Sequence, residues 1–296
     1  MNSIEDFDAE ALIGRQVGTC TIMRELARGG MGIVFVAFQQ TLKRQIAIKV
    51  LPKGVLKARA AERFQQEAES AAILSHPNII PIYEVGETDD FFYFTMQLVQ
   101  GKDLSDLMDR TRKHILPSKR FLPLRFTIKT ICQVLNALEY AHAQEIIHRD
   151  IKPENVLIEK HTQRPLISDF GVVKVLRGDD SDTEIRGTPA YMAPEQIIRT
   201  EIDGRADIYA TGVMLFEMMV PKLPLPPVGS PMELVRSKIQ GKDNFFLNTA
   251  SQLNPTLNPV MDDIIREAIA YDPEQRYENC RAFMKRLQWF EDTYLT

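Results

Sequence analysis

Ile147-His148-Arg149-Asp150-Ile151-Lys152-Pro153-Glu154-Asn155, followed by Ser168-Asp169-Phe170-Gly171, is the stretch around which the chain is organised. Asp150 and Asn155 fall in a polar loop, and residues 156–167 read as two short strands joined by a turn. A hairpin of that length brings its two ends together, and with them Asp150, Asn155 and Asp169. Two carboxylates and an amide suit a hard cation such as magnesium, which takes oxygen ligands and keeps substrate phosphates as further partners. Either short motif alone reads as an Asp-rich surface turn; the two together at this spacing rarely arise by chance. The rest of the chain must then supply a cover for phosphates and a cation to hold them.

Composition sets the outer bounds. The chain has 296 residues, 44% hydrophobic and 26% charged, enough for two sub-domains with a core and ordinary for a soluble globular protein. A net charge of −4 gives no basic bias toward nucleic acid or an anionic membrane surface. Cys20, Cys132 and Cys280 are far apart and lack metal-ligand spacing, which suits a reducing compartment and buried apolar roles. The acidic start lacks the features of a signal peptide, and the apolar run Ala206 to Val220 is broken by Asp207 and Glu217. These features point to a cytoplasmic protein without a membrane segment.

Along the chain, residues 1–17 read as a mobile leader. Cys20 to Leu26, a turn holding Gly29, Gly30 and Gly32, and the run from Val34 read as strand, glycine turn, strand. Glycines let backbone N–H groups approach a phosphate, although the same pattern also makes a plain tight hairpin. Gln45 to Leu51 is a strand whose period-two alternation sets Ile46, Ile48 and Val50 on one face and Ala47 and Lys49 on the other. A helix over 58–74 carries an apolar stripe of Phe64, Ala68, Ala71 and Ala72, with Glu62, Glu67 and Glu69 as acids that the residues alone do not separate. Ile80 to Val85 and Phe91 to Leu98 complete five strands, and Gln97 to Gly101 leads into a mainly helical part. There, helices are expected over Leu104 to Arg112, Leu124 to Gln144 and Asp207 to Val220. The run Arg110–Arg125 is basic with no acid beyond Arg110, a solvated loop or a docking surface for an acidic partner.

From Gly18 to about Leu287 the chain resembles the protein kinase catalytic domain. Its Arg28-Gly-Gly-Met-Gly32 turn and Gly187-Thr-Pro-Ala-Tyr-Met-Ala-Pro-Glu-Gln196 segment look most like bacterial eukaryotic-like serine/threonine kinases. The resemblance implies an α+β bilobal fold, with a small five-stranded antiparallel sheet plus one helix over 18–98 and a larger, mainly helical lobe over 99–296. It implies ATP and Mg2+ as cofactors, with Mn2+ as the alternative ion, and protein substrates bearing Ser or Thr. By resemblance Asp150 handles the substrate hydroxyl, Lys152 offsets charge on the transferred group, Thr188 bonds across the catalytic loop, and Asn155 and Asp169 hold metal. Ala27, Gly29, Gly30, Gly32, Val34, Ala47, Lys49, Met96, Gln97, Val99 and Leu157 line the ATP site, with Glu67 as the partner of Lys49. Ala27 departs from the family pattern, which has glycine there. Asp207 is implied to steady the catalytic loop, and Arg276 to pair with Glu195. Arg149, with Lys174 as a second cation, implies a regulatory phosphate on the activation segment, at Thr183 first and Ser181 second. A nucleotide-binding pseudokinase scaffold is the alternative reading. A small-molecule phosphotransferase fits less well, because those enzymes usually lack the Ala193-Pro194-Glu195 ending.

Overall fold

The structure is a computed structural model and describes residues 7–29, 32–55, 68, 72–116, 119–170, 189–198 and 201–295. They fall into two compact units. The first holds the residues up to Gln100 together with Asp169 and Phe170, and the second holds Gly101–Ser168 and the residues from Pro189 onward.

In the first unit β1 (Gln16–Val17), β2 (Cys20–Gly29), β3 (Gly32–Gln39), β4 (Arg44–Pro52), β5 (Ile82–Glu87) and β6 (Phe91–Met96) form one antiparallel sheet, ordered β1-β2-β3-β4-β6-β5. Opposed residues in such a ladder share a face. Val34, Lys49 and Phe94 therefore form one row, and Val36, Ala47 and Met96 another on the same side. The opposite side carries Ile33, Phe35, Ile46, Ile48 and Val50, which are buried in one apolar cluster. The alternation read from Gln45 to Leu51 thus sorts the strand correctly: hydrophobes to the core, Ala47 and Lys49 to the other side. The expected helix over 58–74 lies outside the described residues except at Ala68 and 72–74, of which Ala68 is fully buried.

The N-terminal segment corrects the sequence reading. A mobile leader through residue 17 and five strands are expected; from Phe7 the segment instead packs on the sheet, and β1 adds a sixth, short edge strand. Asp8 Oδ1 accepts from the N–H groups of Glu10 (3.1 Å) and Ala11 (3.2 Å), starting the 3-10 turn Glu10–Leu12. Ala9, Leu12 and Val17 then join the apolar cluster of Ile22, Ile46 and Ile48. Three buried residues in an acidic, irregular segment have neither helical nor strand period, so periodicity cannot reveal them.

In the second unit β7 (Gly101–Asp103), β8 (Val156–Glu159) and β9 (Pro165–Ile167) form a small antiparallel sheet. The hairpin β8–β9 closes as expected, because Ser168 N donates to Asn155 O (2.9 Å) just beyond the paired strands. Helices Leu104–Arg112 and Leu124–His142 match their expected spans to within two residues. The helix Arg205–Met219 is buried on nearly every side and packs against Leu124–His142 and Val260–Ala268. An all-round buried helix belongs to the middle of a domain, so polar groups on it must find partners inside. Asp207 is the first of these.

Leu12→Ala is expected to lower stability by about 2–5 kcal/mol in urea unfolding, as for a buried leucine. A mobile leader would give no change.

Candidate active site

Asp207, on the first turn of Arg205–Met219, has no exposed surface. Its Oδ2 accepts from His148 N (2.9 Å) and bonds His142 Nε2 (2.8 Å), and its Oδ1 accepts from Arg149 N (2.7 Å). Burial alone would push this carboxyl up, but the hydrogen bond and charge of His142, together with the Arg149 N–H, hold it below its ordinary value. Arg149 takes φ +67°, a left-handed conformation that a non-glycine residue adopts at a cost. Asp207 offsets that cost by accepting the two N–H groups that this turn of the backbone presents.

The next residues are fixed in turn. Asp150 N donates to His148 Nδ1 (3.2 Å), and the other ring nitrogen, Nε2, meets Ser168 O (2.8 Å), so the ring carries its proton on Nε2. Pro153–Asn155 is a 3-10 turn that swings Asn155 back, and its Nδ2 donates to Asp150 O (2.7 Å) and Oδ2 (3.0 Å). Lys152 Nζ pairs with Asp150 Oδ2 (2.9 Å). Both donors of the Asn155 amide are thereby committed, leaving Oδ1 as an acceptor of the oxygen type that a hard cation prefers. Asp150, Lys152 and Asn155 thus lie together in the second unit.

In the first unit Lys49 is 5% exposed and ion-pairs with Asp169. Asp169 also takes a left-handed φ, +60°. Ala27 opposes Val34 in the β2–β3 ladder just past a register shift that follows Glu25, and it does not take the positive φ that would call for glycine. Gly32 is different: at φ +130° an added Cβ would stand 2.6 Å from Val50 O, so glycine is required there. Gln97 N donates to Pro81 O (3.2 Å). Leu157 lies on β8, opposite Asp103 and Leu166. Glu67, Gly30, Thr188, Ser181 and Thr183 lie outside the described residues.

The family model described as Protein kinase domain matches residues 20–290. The chain belongs to this family. It is 31% identical over 286 residues to the serine/threonine-protein kinase Pkn1 of Myxococcus xanthus, covering 94% of this chain and 39% of Pkn1. It is 32% identical over 271 residues to PrkC of Bacillus subtilis, covering 90% of this chain and 40% of PrkC. The chain thus spans about two fifths of the length of these curated relatives. The crystal structure of the Mycobacterium tuberculosis PknI kinase domain superposes with a TM-score of 0.73 at 27% identity, covering 94% of this chain and 98% of that one.

As in the family pattern, Arg276 forms a buried fork on Glu195, with Nη1 to Oε1 at 2.7 Å and Nη2 to Oε2 at 2.8 Å. Further carbonyls, Ala270 O, Arg205 O and Tyr271 O, take up its remaining donors. Two residues of this kinase domain were not singled out by the sequence. Gln196 Oε1 accepts from Ala193 N (2.9 Å) while its Nε2 donates to Arg149 O (2.8 Å), joining the Ala193-Pro194-Glu195 turn to the catalytic loop. Lys238 is the other, and its only advance signal is that it follows Leu234 by four residues, on the same helix face.

Asp207→Asn is expected to cost about 1–3 kcal/mol at neutral pH, because an amide cannot accept from both His148 N and Arg149 N. The folded-state value of Asp207 lies below its ordinary 3.8. Its contribution is therefore complete above that value and is lost as pH falls through the folded value. Urea midpoints of the two proteins should converge as pH is lowered past the carboxylate range; a constant gap would refute the assignment.

Proposed function

We propose that this chain is the catalytic domain of a signalling serine/threonine protein kinase that transfers the γ-phosphoryl group of ATP to Ser or Thr hydroxyls of protein substrates in the cytoplasm. The observation that carries this reading is the fixing of Asp150, whose Oδ2 is bonded by Asn155 and Lys152 on a loop pinned by a buried carboxylate. The relatives' names and the family support the same reaction class.

Asp150 accepts or orients the proton of the incoming hydroxyl, with its carboxylate aimed by Asn155 Nδ2. Lys152, already beside that carboxylate, offsets negative charge on the migrating group. Lys49, now paired with Asp169, exchanges that partner for phosphate oxygens, and Glu67 is assigned to hold it there. The backbone of Gln97 and Val99 is assigned to adenine, with Met96, Ala47, Val34 and Leu157 as apolar walls and Ala27, Gly29, Gly30 and Gly32 as the cover. Thr188 is assigned to bond across the catalytic loop.

Among the described residues no group of three His, Cys, Asp or Glu side chains gathers for a metal. Magnesium, or manganese in its place, uses few protein oxygens beside phosphates and water. Asn155 Oδ1 and the Asp169 carboxylate are the oxygens assigned to it. Bound there, the ion would neutralise phosphate charge as the γ-phosphoryl departs.

The regulatory part rests on Arg149. Among the described residues its Nε is buried without a hydrogen-bond partner, an arrangement that favours a phosphate acceptor. Thr183 is the first candidate and Ser181 the second. The basic run Arg110–Arg125 is retained as a docking surface for an acidic partner, but without Arg112, which is held internally by Glu217 (2.8 Å) and Asp109 (3.2 Å).

Asp150→Asn is expected to reduce radiolabelled phosphate transfer to a generic protein acceptor by about 10²–10⁴-fold. Nucleotide-induced thermal stabilisation should persist in the variant. Transfer at the wild-type rate would remove Asp150 from its role. In mass spectra of active enzyme, phosphate is expected on Thr183 or Ser181 and absent from Lys49→Met protein; active enzyme unmodified at both sites would refute the regulatory part.

A further inference from the structure

Lys238 is 1% exposed, on the helix Pro231–Gly241. That helix is firmly started, with Ser230 Oγ accepting from Glu233 N (3.2 Å) and Glu233 Oε2 from Gly229 N (2.8 Å). Its buried side chains are Leu234, Val235 and Lys238, so a leucine at 238 would complete an ordinary apolar stripe. The Lys238 amine instead donates to Ala190 O (2.6 Å) and Met192 O (2.7 Å) and lies over the rings of Tyr209 (4.7 Å) and Phe245 (5.0 Å). Burying an amine without a bonded carboxylate is costly. Burial first, and then the like charge of Arg276, hold it well below its ordinary value against the opposing pull of Glu195. A core position that needed only apolar filling would be better served by leucine. What lysine adds is a pair of donors for two backbone carbonyls.

Those carbonyls belong to residues 189–193, which have no regular secondary structure and whose polar backbone needs partners from elsewhere. Two side chains supply them, and a further bond ties down a side chain of the segment itself. Lys238 takes Ala190 O and Met192 O, the Tyr191 hydroxyl donates to Glu217, and Gln196 takes Ala193 N. Gln196 also reaches Arg149 O, one residue before Asp150. The segment is therefore registered on the catalytic loop at one end and on the helix Pro231–Gly241 at the other. A polypeptide presenting a hydroxyl to Asp150 approaches a loop whose preceding carbonyl, Arg149 O, is already bonded to this segment through Gln196.

We infer that Lys238 is a positioning residue for protein substrates: by holding Ala190 O and Met192 O it sets the segment that the polypeptide must fit. This rests on the kinase reading above. None of the groups involved is among those assigned to nucleotide or metal, so handling of ATP should be insensitive to the substitution.

The test compares wild type, Lys238→Met and Lys238→Gln, measuring KM for a protein acceptor, KM for ATP, and ATP hydrolysis to water without acceptor. Lys238→Met is expected to raise the acceptor KM about tenfold, the scale of losing two hydrogen bonds, with the ATP values changed less than about twofold. Lys238→Gln, which keeps two N–H donors on a shorter chain, is expected to recover part of the loss. An unchanged acceptor KM, equal damage to ATP hydrolysis, or no difference between Gln and Met overturns the inference. If Lys238→Met fails to fold, Lys238→Gln against wild type gives the same split. If wild type itself neither transfers phosphate nor hydrolyses ATP while binding nucleotide, the kinase reading fails and the inference falls with it.

Discussion

The carboxylate of Asp207 serves three donors from a fully buried position, and the conformation of the loop His148–Asp150 depends on it. A buried carboxylate is unfavourable unless its lone pairs are used, and here His142 Nε2, His148 N and Arg149 N use them. The helix start adds to this, since the first turn of Arg205–Met219 places the positive end of its peptide dipoles beside Asp207. The consequence is a backbone that can hold Arg149 at positive φ without drifting to a commoner conformation. With residues 148 and 149 fixed, Asp150 has little freedom left, and Asn155 and Lys152 need only orient its carboxylate. The order of the loop is thus inherited from a carboxylate with no exposed surface.

Much of this was legible in the sequence where a short period or a fixed spacing carries it. The alternation around Lys49 assigns both faces of β4, and the distance from Asn155 to Ser168 suits the hairpin that the structure closes. The Arg276–Glu195 fork and the role of Asp207 were reachable only through family resemblance, because nothing local in Asp272-Pro-Glu-Gln-Arg276 or in the first turn of a helix names a partner far along the chain. The packing of Ala9, Leu12 and Val17 had no comparable signal. Their neighbours are acidic, their spacing fits neither period, and what buries them is a sheet face formed by residues that come later. Lys238 was hidden for the opposite reason, since a lysine in an amphipathic helix reads as solvent-facing by default. Its clue, the four-residue offset from Leu234, becomes informative only when that face is known to be covered.

The glycine-rich turn shows how a motif letter can differ from the physical demand beneath it. The family pattern asks for glycine at 27, 29 and 32, yet the demands at these positions are unequal. Position 27 stands opposite Val34, next to a register shift of the ladder, and does not take a positive φ, so alanine is accommodated there. At Gly29 an added Cβ would meet nothing within 4 Å. Only Gly32 combines positive φ with a backbone oxygen where its Cβ would stand. The departure at Ala27 therefore falls at a permissive place, and it gives little reason to read the chain as a scaffold without catalysis.

The same logic connects the Arg276–Glu195 pair with Lys238. Glu195 spends both oxygens on the Arg276 fork, so its charge is fully committed and Lys238, nearby, is left to find neutral acceptors. Tyr209 lies between these demands, with the Arg276 guanidinium 4.9 Å and the Lys238 amine 4.7 Å from its ring centre. A ring face attracts cations, and it softens the proximity of two basic side chains of which only Arg276 bonds the carboxylate. Glu195 thus anchors the segment's end through a charge pair, whereas Ala190 and Met192 are held through backbone carbonyls. Ala190, Tyr191 and Ala193 are buried as well, so packing of their side chains and bonding of their backbone fix the same path.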